Sequence, residues 1–313
     1  MVQVCEACQK YARKITAPAA PLTPIPAAWP FAQWGIDLVG PLPKSKGQCV
    51  AIIVATDYFS KWIEAKALSK TTEFHVLKFL KTRIISRYGV PRVLISDNGP
   101  QFTGSSLANY CRALNIDHRF ASVKHAQANG QVESANKIVL DGLKKRIYAL
   151  NSNWAEELDN VLWAVRTTPK KSTGETPFGL VYGTEAVAPV EVAVASHRMR
   201  HYDEEINEVA RRVDLDLAEE KRWESEKMQA KMRLATARYY NRKVKLRQFF
   251  VGEMVWRRNE FSRTGPTGKL SPKWEGPYKV VEVPVENAYR LEDGEGRMLP
   301  NSFSGEHLKK FYS

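Results

Sequence analysis

A membrane-spanning run is missing from this sequence. The longest apolar stretch, Cys49-Val50-Ala51-Ile52-Ile53-Val54-Ala55, falls far short of the roughly 18 residues a bilayer requires and reads instead as a buried strand. Met1 to Lys10 contains no apolar h-region, so neither a secretory leader nor a membrane partner is expected. Cysteine is scarce. Four scattered residues make no disulfide framework and fit a reducing intracellular compartment. Acidic residues are in deficit, 34 against 47 Lys and Arg, for a net charge of +13. A surplus of that size points to a polyanionic partner, of which nucleic acid is the commonest. Hydrophobic residues make up 43% of the chain, enough to fill a sizeable core and to exclude wholesale disorder.

Three changes of texture divide the chain. Pro18, Pro21, Pro24, Pro26 and Pro30 forbid regular structure over 17–30 and mark a stiff linker. An α/β alternation follows. Strands are expected at Trp34–Val39, Cys49–Tyr58 and Trp62–Leu68, the last two pairing antiparallel, then at Arg92–Ser96 and Asp117–Ala121. Helices are expected at Thr72–Arg87, with Phe74, Leu77, Leu80 and Ile84 on the apolar face, and at Gly104–Leu114, Gly130–Leu150 and Trp154–Arg166. Pro169 and the Gly174/Pro177 stretch then open a loop. From Tyr202 to about Lys245 the chain is dense in charge, with Ile206, Val209, Val213 and Leu217 at helical spacing. It reads equally as a solvated connector or as a partner-binding arm. After Phe249, short alternating runs such as Met254-Val255-Trp256 and Tyr289-Arg290-Leu291, separated by Gly-Pro and Asp-Gly turns, suggest a small β-barrel.

Three carboxylates carry the chemistry. Asp37 interrupts an otherwise apolar strand, where a charge is costly unless paired or bound to metal. Asp97 follows Val93-Leu94-Ile95-Ser96 at a strand end, where α/β folds place their ligands. Glu133 lies in the first turn of the helix that begins at Gly130. Hard oxygen donors from three separate elements suit Mg²⁺ or Mn²⁺. Asp97-Asn98-Gly99-Pro100 alone would read as a turn, so the weight rests on the set. Asp57 is read as a strand-end turn residue outside that set.

Thirty-five residues, 98 through 132, separate Asp97 from Glu133. With Asp37 they resemble the Asp, Asp, 35, Glu signature of retroviral and LTR-retrotransposon integrases, and the Gypsy-class elements of plants most closely. The surrounding words extend the resemblance over nearly the whole chain: Trp34-Gly35-Ile36-Asp37-Leu38-Val39-Gly40-Pro41, Thr56-Asp57-Tyr58-Phe59-Ser60-Lys61-Trp62, Ile95-Ser96-Asp97-Asn98-Gly99, Ala128-Asn129-Gly130-Gln131-Val132-Glu133 and Thr173-Gly174-Glu175-Thr176-Pro177-Phe178. The resemblance implies an RNase H-like core, a five-stranded mixed sheet with flanking helices, followed by a helical linker and a Src-homology-3-like barrel. It implies 3′-end processing and strand transfer of retrotransposon DNA by two-metal phosphoryl transfer, with Asp37 bridging both ions and Asp97 and Glu133 holding one each. Asn136, Lys137, His125 and Gln131 become candidate DNA contacts, and 122–130 the mobile active-site loop. The chain departs from the family at Ala126, where a proline usually stands, and a looser loop is expected.

Cys5 and Cys8 resemble the second half of the family's His-His, Cys-Cys zinc module. With no His pair ahead of them, zinc binding by this chain is not expected, and the chain is expected to begin inside that module. A redox role has no thioredoxin-like context. Trp274-Glu275-Gly276-Pro277-Tyr278 resembles the Gly-Pro-Tyr/Phe module that closes many Gypsy-class integrases. In that module Arg257, Arg258, Arg263, Lys269 and Lys273 are candidate phosphate partners. The expected organisation is a remnant of the zinc module at 1–16, a linker at 17–30, the catalytic core at 31–190, a charged helical linker at 191–247 and a DNA-binding, multimerising barrel at 248–313. LTR ends, target DNA and further copies of the chain on DNA are the expected partners. A nuclear location is implied by the substrate alone. Two competing readings stand beside integration: a DNA-binding remnant without activity, and another RNase H-like enzyme, which the Asp97–Glu133 interval and the C-terminal module oppose.

Overall fold

The structure is a computed structural model, and it describes residues 4–12, 29–120, 130–150, 152–187, 200, 203–242, 244, 248–259, 272–285 and 287–313. The expected linker at 17–30 lies largely outside these residues, and the loop at 122–130, apart from Gly130, lies wholly outside them. Two compact units divide the chain, one ending at Arg233 and the other joining the N-terminal residues to those from Leu234 onward. Among the described residues no helix is long and apolar enough to cross a membrane.

The first unit is built on a mixed sheet of order β3-β2-β1-β4-β5. Its strands are β1 (Gln33–Val39), β2 (Ala51–Asp57), β3 (Ile63–Leu68), β4 (Val93–Ser96) and β5 (Asp117–Phe120). β1 to β3 form an antiparallel meander, whereas β4 and β5 run parallel to β1. β2 is buried at every position, which is why it reads as an unbroken apolar run rather than an alternating one. One face packs on Val76, Phe79, Leu80 and Ile84 of the segment 73–88 and on Leu107 and Cys111 of α4 (Ser105–Ala113). That segment is α2 (Glu73–Phe79) running through a π-helical stretch, Leu80–Ile85, into α3 (Ser86–Tyr88). Phe74, expected on the buried face, is 67% exposed. Val76 and Phe79 fill the core instead: with Leu80 and Ile84 they form the inward face, and at roughly 100° per residue Phe74 lies about 200° round the helix from Val76. The other sheet face packs on α5 (Gly130–Leu150) and α6 (Trp154–Arg166).

The loop expected at Gly174/Pro177 contains a helix, α7 (Pro177–Tyr182). Thr176 caps it by accepting from the Gly179 N–H, Pro177 opens it, and Gly183 ends it at φ 78°. These are ordinary start and stop signals, hidden by the helix's brevity. The charged segment forms α8 (Glu204–Asp216) and α9 (Ala218–Asn241). The first half of α9 is tied to the core: Arg222 donates to the Leu180 carbonyl at 3.1 Å, Ser225 to Thr173 at 2.9 Å and Gln229 to Phe59 at 3.0 Å. On α8, by contrast, Ile206, Val209 and Val213 are exposed.

The second unit is an antiparallel, Src-homology-3-like sheet of order β10-β6-β7-β8-β9. It comprises β6 (Met254–Arg258), β7 (Trp274–Val285), β8 (Ala288–Glu292), β9 (Met298–Ser304) and β10 (Leu308–Lys310), closed over Phe249, Val255, Val280, Tyr289, Leu291, Phe303 and Leu308. The short helix α1 (Glu6–Lys10) belongs to this unit.

Candidate active site

Asp37 follows four buried positions of β1 and is itself half-buried. Its Oδ1 accepts from the Leu38 N–H at 2.8 Å, and its Oδ2 from Asn136 Nδ2 at 2.7 Å. Burial pushes its carboxyl above the ordinary range, the charges of Asp97 and Glu133 add to that, and the Leu38 and Asn136 hydrogen bonds oppose it. The three acids therefore share one electrostatic field.

The backbone explains why. β1 pairs parallel with β4 at Gly35↔Ile95, and two residues further along that register lie Asp37 and Asp97. Asp97 Oδ1 accepts from the Gly99 N–H at 3.0 Å, so the turn reading and the site reading hold together. Glu133 comes from the first turn of α5, exposed, directly after Val132, which is fully buried. A Cβ on Gly35 would stand 2.2 Å from Val132 Cγ2 and 2.7 Å from the Tyr58 ring. Only glycine lets α5 lie this close to β1, and that approach carries Glu133 to Asp37. Tyr58 is 1% exposed, and burial together with the Glu133 charge raises its hydroxyl well above its usual value. Neither Gly35 nor Tyr58 was singled out in the sequence, although a glycine inside a strand is a recognisable sign of close approach.

A groove of about 480 Å³ runs from Glu133 along α5, past Asn136, Lys137, Asp141 and Lys144, with Leu38–Gly40 on its other wall. Among the described residues no group of three or more His, Cys, Asp or Glu side chains is drawn together closely enough to hold a metal ion. The donor chemistry nevertheless suits a hard cation. The charges of Asp97 and Glu133 raise the proton affinity of Asp37, and among the described residues the buried Asn136 Oδ1 beside it has no hydrogen-bond partner.

The other candidates scatter. Asn136 spends its amide on Asp37, while Lys137 is exposed in the groove. Gln131 accepts from Lys61 Nζ at 2.7 Å. His125, Arg263 and Lys269 lie outside the described residues. Arg257 requires a correction: its guanidinium is buried, pairs with Glu275 and lies 5.0 Å from the rings of both Tyr278 and Phe303. Its charge is used inside the barrel, because a buried arginine needs its own counter-ion, and it is not placed for phosphate. Arg258 is half-buried on β6, and Lys273 is exposed just before β7. Cys5 and Cys8 are exposed and hydrogen-bonded to one another, which lowers the first thiol's pKa and raises the second's. Asp57 is fully buried and accepts from the Phe31 N–H, the Ser60 N–H and the Ser60 hydroxyl, as a turn residue would.

Comparison with known proteins agrees with this geometry. Residues 27–126 match the family described as Integrase core domain, and residues 249–312 match a domain of unknown function, DUF8803. The Transposon Tf2-3 and Tf2-4 polyproteins of Schizosaccharomyces pombe are each 26% identical over 317 residues, 99% of this chain but 23% of their own length. The chain thus spans about a quarter of the curated relatives it matches. A chain of the simian T-cell lymphotropic virus intasome, solved in complex with PP2A regulatory subunit B56 gamma, aligns over 100% of this chain and 89% of its own, at 17% identity and a TM-score of 0.57. At that identity the likeness speaks for the fold alone. The catalytic core domain of BIV integrase aligns over 48% of this chain and 93% of its own, at 25% identity and a TM-score of 0.40. Residues 27–126 thus match an integrase core domain, and the chain as a whole is similar to part of the Tf2 polyproteins, a likeness consistent with the Gypsy class.

Proposed function

We propose that this chain joins retrotransposon DNA ends to target DNA by 3′-end processing and strand transfer. The observation that carries the reading is the arrival of Asp37, Asp97 and Glu133 in one field from a strand, a strand end and a helix start. These three would hold two Mg²⁺ or Mn²⁺ ions, which when bound activate the attacking oxygen and stabilise the leaving one. Asn136 fixes the orientation of Asp37 through its 2.7 Å hydrogen bond. Lys137 and Lys144 line the groove beyond Glu133, where ammonium groups would take up phosphates of an LTR end. Lys273 offers a further exposed cation on the second unit, and its role there is non-specific DNA contact. The expected assembly is a homo-oligomer on DNA acting in the nucleus.

One observation favours the second reading, a DNA-binding chain without activity: the three acids share a field but are not drawn into a cage. The test is strand transfer. Purified protein is incubated with Mg²⁺ or Mn²⁺, a labelled duplex carrying the element's LTR end, and target plasmid, beside Asp97→Asn. Products that vanish in the variant establish the enzyme. No product from either protein, with salt-sensitive DNA binding retained in both, establishes the binding-only reading.

A further inference from the structure

The turn between β2 and β3 contains a residue in an unfavourable conformation. Lys61 has φ +62°, the left-handed region that glycine or asparagine occupies at lower cost. The turn is already held by its backbone and by the Asp57 and Ser60 side chains, without the Lys61 side chain. The Lys61 N–H donates to the Asp57 carbonyl at 3.1 Å, and the Asp57 N–H to the Trp62 carbonyl at 2.9 Å. A lysine at this position therefore invites an explanation from its side chain.

That side chain is specific in what it touches. Lys61 Nζ donates to the Tyr58 carbonyl at 2.6 Å and to Gln131 Oε1 at 2.7 Å. Gln131 lies in the first turn of α5, two residues before Glu133 and next to Val132, which seats against Gly35 and Tyr58. The other end of the contact is firmly held. Tyr58, Phe59, Ser60 and Trp62 are all buried, and α9 clamps the turn through Gln229 on the Phe59 carbonyl. Lys61 is half-buried, and burial lowers its ammonium to about 8, opposed by the Asp57 charge and reinforced by Arg233.

We propose that Lys61 is a positioning residue: it ties the rigid β2–β3 turn to the first turn of α5 and so sets where Glu133 stands relative to Asp37 and Asp97. The proposal rests on the integration reading for its consequence in catalysis. Its physical content, a strut from Lys61 to Gln131, does not. Reacting groups tolerate little displacement, since an error of about 1 Å can cost about 100-fold in rate.

The test compares wild-type full chain with Lys61→Gly and Lys61→Arg. Glycine relieves the φ strain and removes the strut, so folding is expected to survive, with the thermal midpoint within about 4 °C of wild type. Strand transfer by Lys61→Gly is expected to fall by about 10- to 100-fold, with a several-fold higher Mg²⁺ concentration for half-maximal activity. Lys61→Arg, which can still reach Gln131, recovers part of both. Hydrogen exchange at the amides of residues 131–134 is expected to quicken in Lys61→Gly and not in Lys61→Arg. An unchanged Mg²⁺ midpoint with unchanged exchange overturns the proposal, even if activity falls along with stability. Should wild type prove inactive, the integration reading fails by itself and the exchange data decide the strut: quicker exchange supports it, and unchanged exchange overturns it.

Discussion

Asn136 Nδ2 donates to Asp37 Oδ2 at 2.7 Å, from a position three residues beyond Glu133 on the same face of α5. One helix thus supplies both an acid and the group that orients another acid. Replacing Asn136 by alanine removes a hydrogen bond to a half-buried carboxylate, a contact worth about 1.5–3 kcal/mol. Asn136→Ala is expected to lose part of that in urea unfolding. It should also lower strand transfer, because the Asn136 hydrogen bond opposes the upward drift of the Asp37 pKa. If unfolding and activity both match wild type, Asn136 does not hold Asp37 in solution.

The shared field makes a second prediction. Glu133 and Asp97 both push the Asp37 carboxyl upward, so the metal-free protein carries like-charge repulsion. Glu133→Gln is expected to raise the metal-free thermal midpoint slightly. Magnesium at about 100 times its dissociation constant should stabilise wild type by about 2.7 kcal/mol and the variant by far less. Calorimetry with and without Mg²⁺ reads both numbers. Equal stabilisation of the two proteins would place the ion elsewhere.

Much of this was legible in the residues. β2 announced itself by an unbroken apolar run, Asp37 by a charge where burial forbids one, and the Asp97–Glu133 interval by counting. Legibility failed where tertiary contact overrides local pattern. Arg257 looks like any surface cation in sequence, and only the fold puts Glu275 and two aromatic rings around it. Phe74 is apolar and near the helical spacing, but the face that packs on the sheet is set by Val76, Phe79, Leu80 and Ile84, and Phe74 lies almost opposite Val76. Gln9 gave no signal at all, since its partners lie about 300 residues away.

His118 gives a pH dependence with a definite sign. Its ring nitrogen lies 2.9 Å from the Ser96 hydroxyl, next to Asp97 in sequence, and burial lowers its pKa below the ordinary 6.5, with Asp117 opposing. A depressed folded value means the neutral ring contributes stability above pH 6.5, the value expected in the unfolded chain. That stability is lost as pH falls through the lower folded value. Unfolding followed from pH 8 to pH 5 (about the span over which histidine titrates) should show stability declining on the acid side, and His118→Gln should flatten part of the decline. An identical slope in the variant would assign the acid loss to other groups.

In the second unit, Gln9 joins α1 to the barrel. Its Oε1 accepts from Trp256 Nε1 at 2.8 Å and from the Tyr312 N–H at 3.0 Å, while its Nε2 donates to the Tyr312 carbonyl at 2.7 Å. Gln9 is 3% exposed and Trp256 is fully buried. The segment is held further by Trp274 Nε1 on the Ala12 carbonyl at 3.2 Å and by the Lys273 N–H on the Lys10 carbonyl at 3.0 Å. Gln9→Ala strands the indole N–H of Trp256 without an acceptor, and a buried donor left unpaired costs about 1–3 kcal/mol. Gln9→Glu keeps the acceptor but places a carboxylate against the Tyr312 carbonyl, so it should cost at least as much. Tryptophan fluorescence during urea unfolding of the full chain should show an earlier transition in both variants. Deleting residues 1–12 should red-shift the emission by exposing Trp256 and Trp274 to water. If emission and transition are both unmoved, α1 does not cover the barrel in solution, and the N-terminal segment is then free to serve another module.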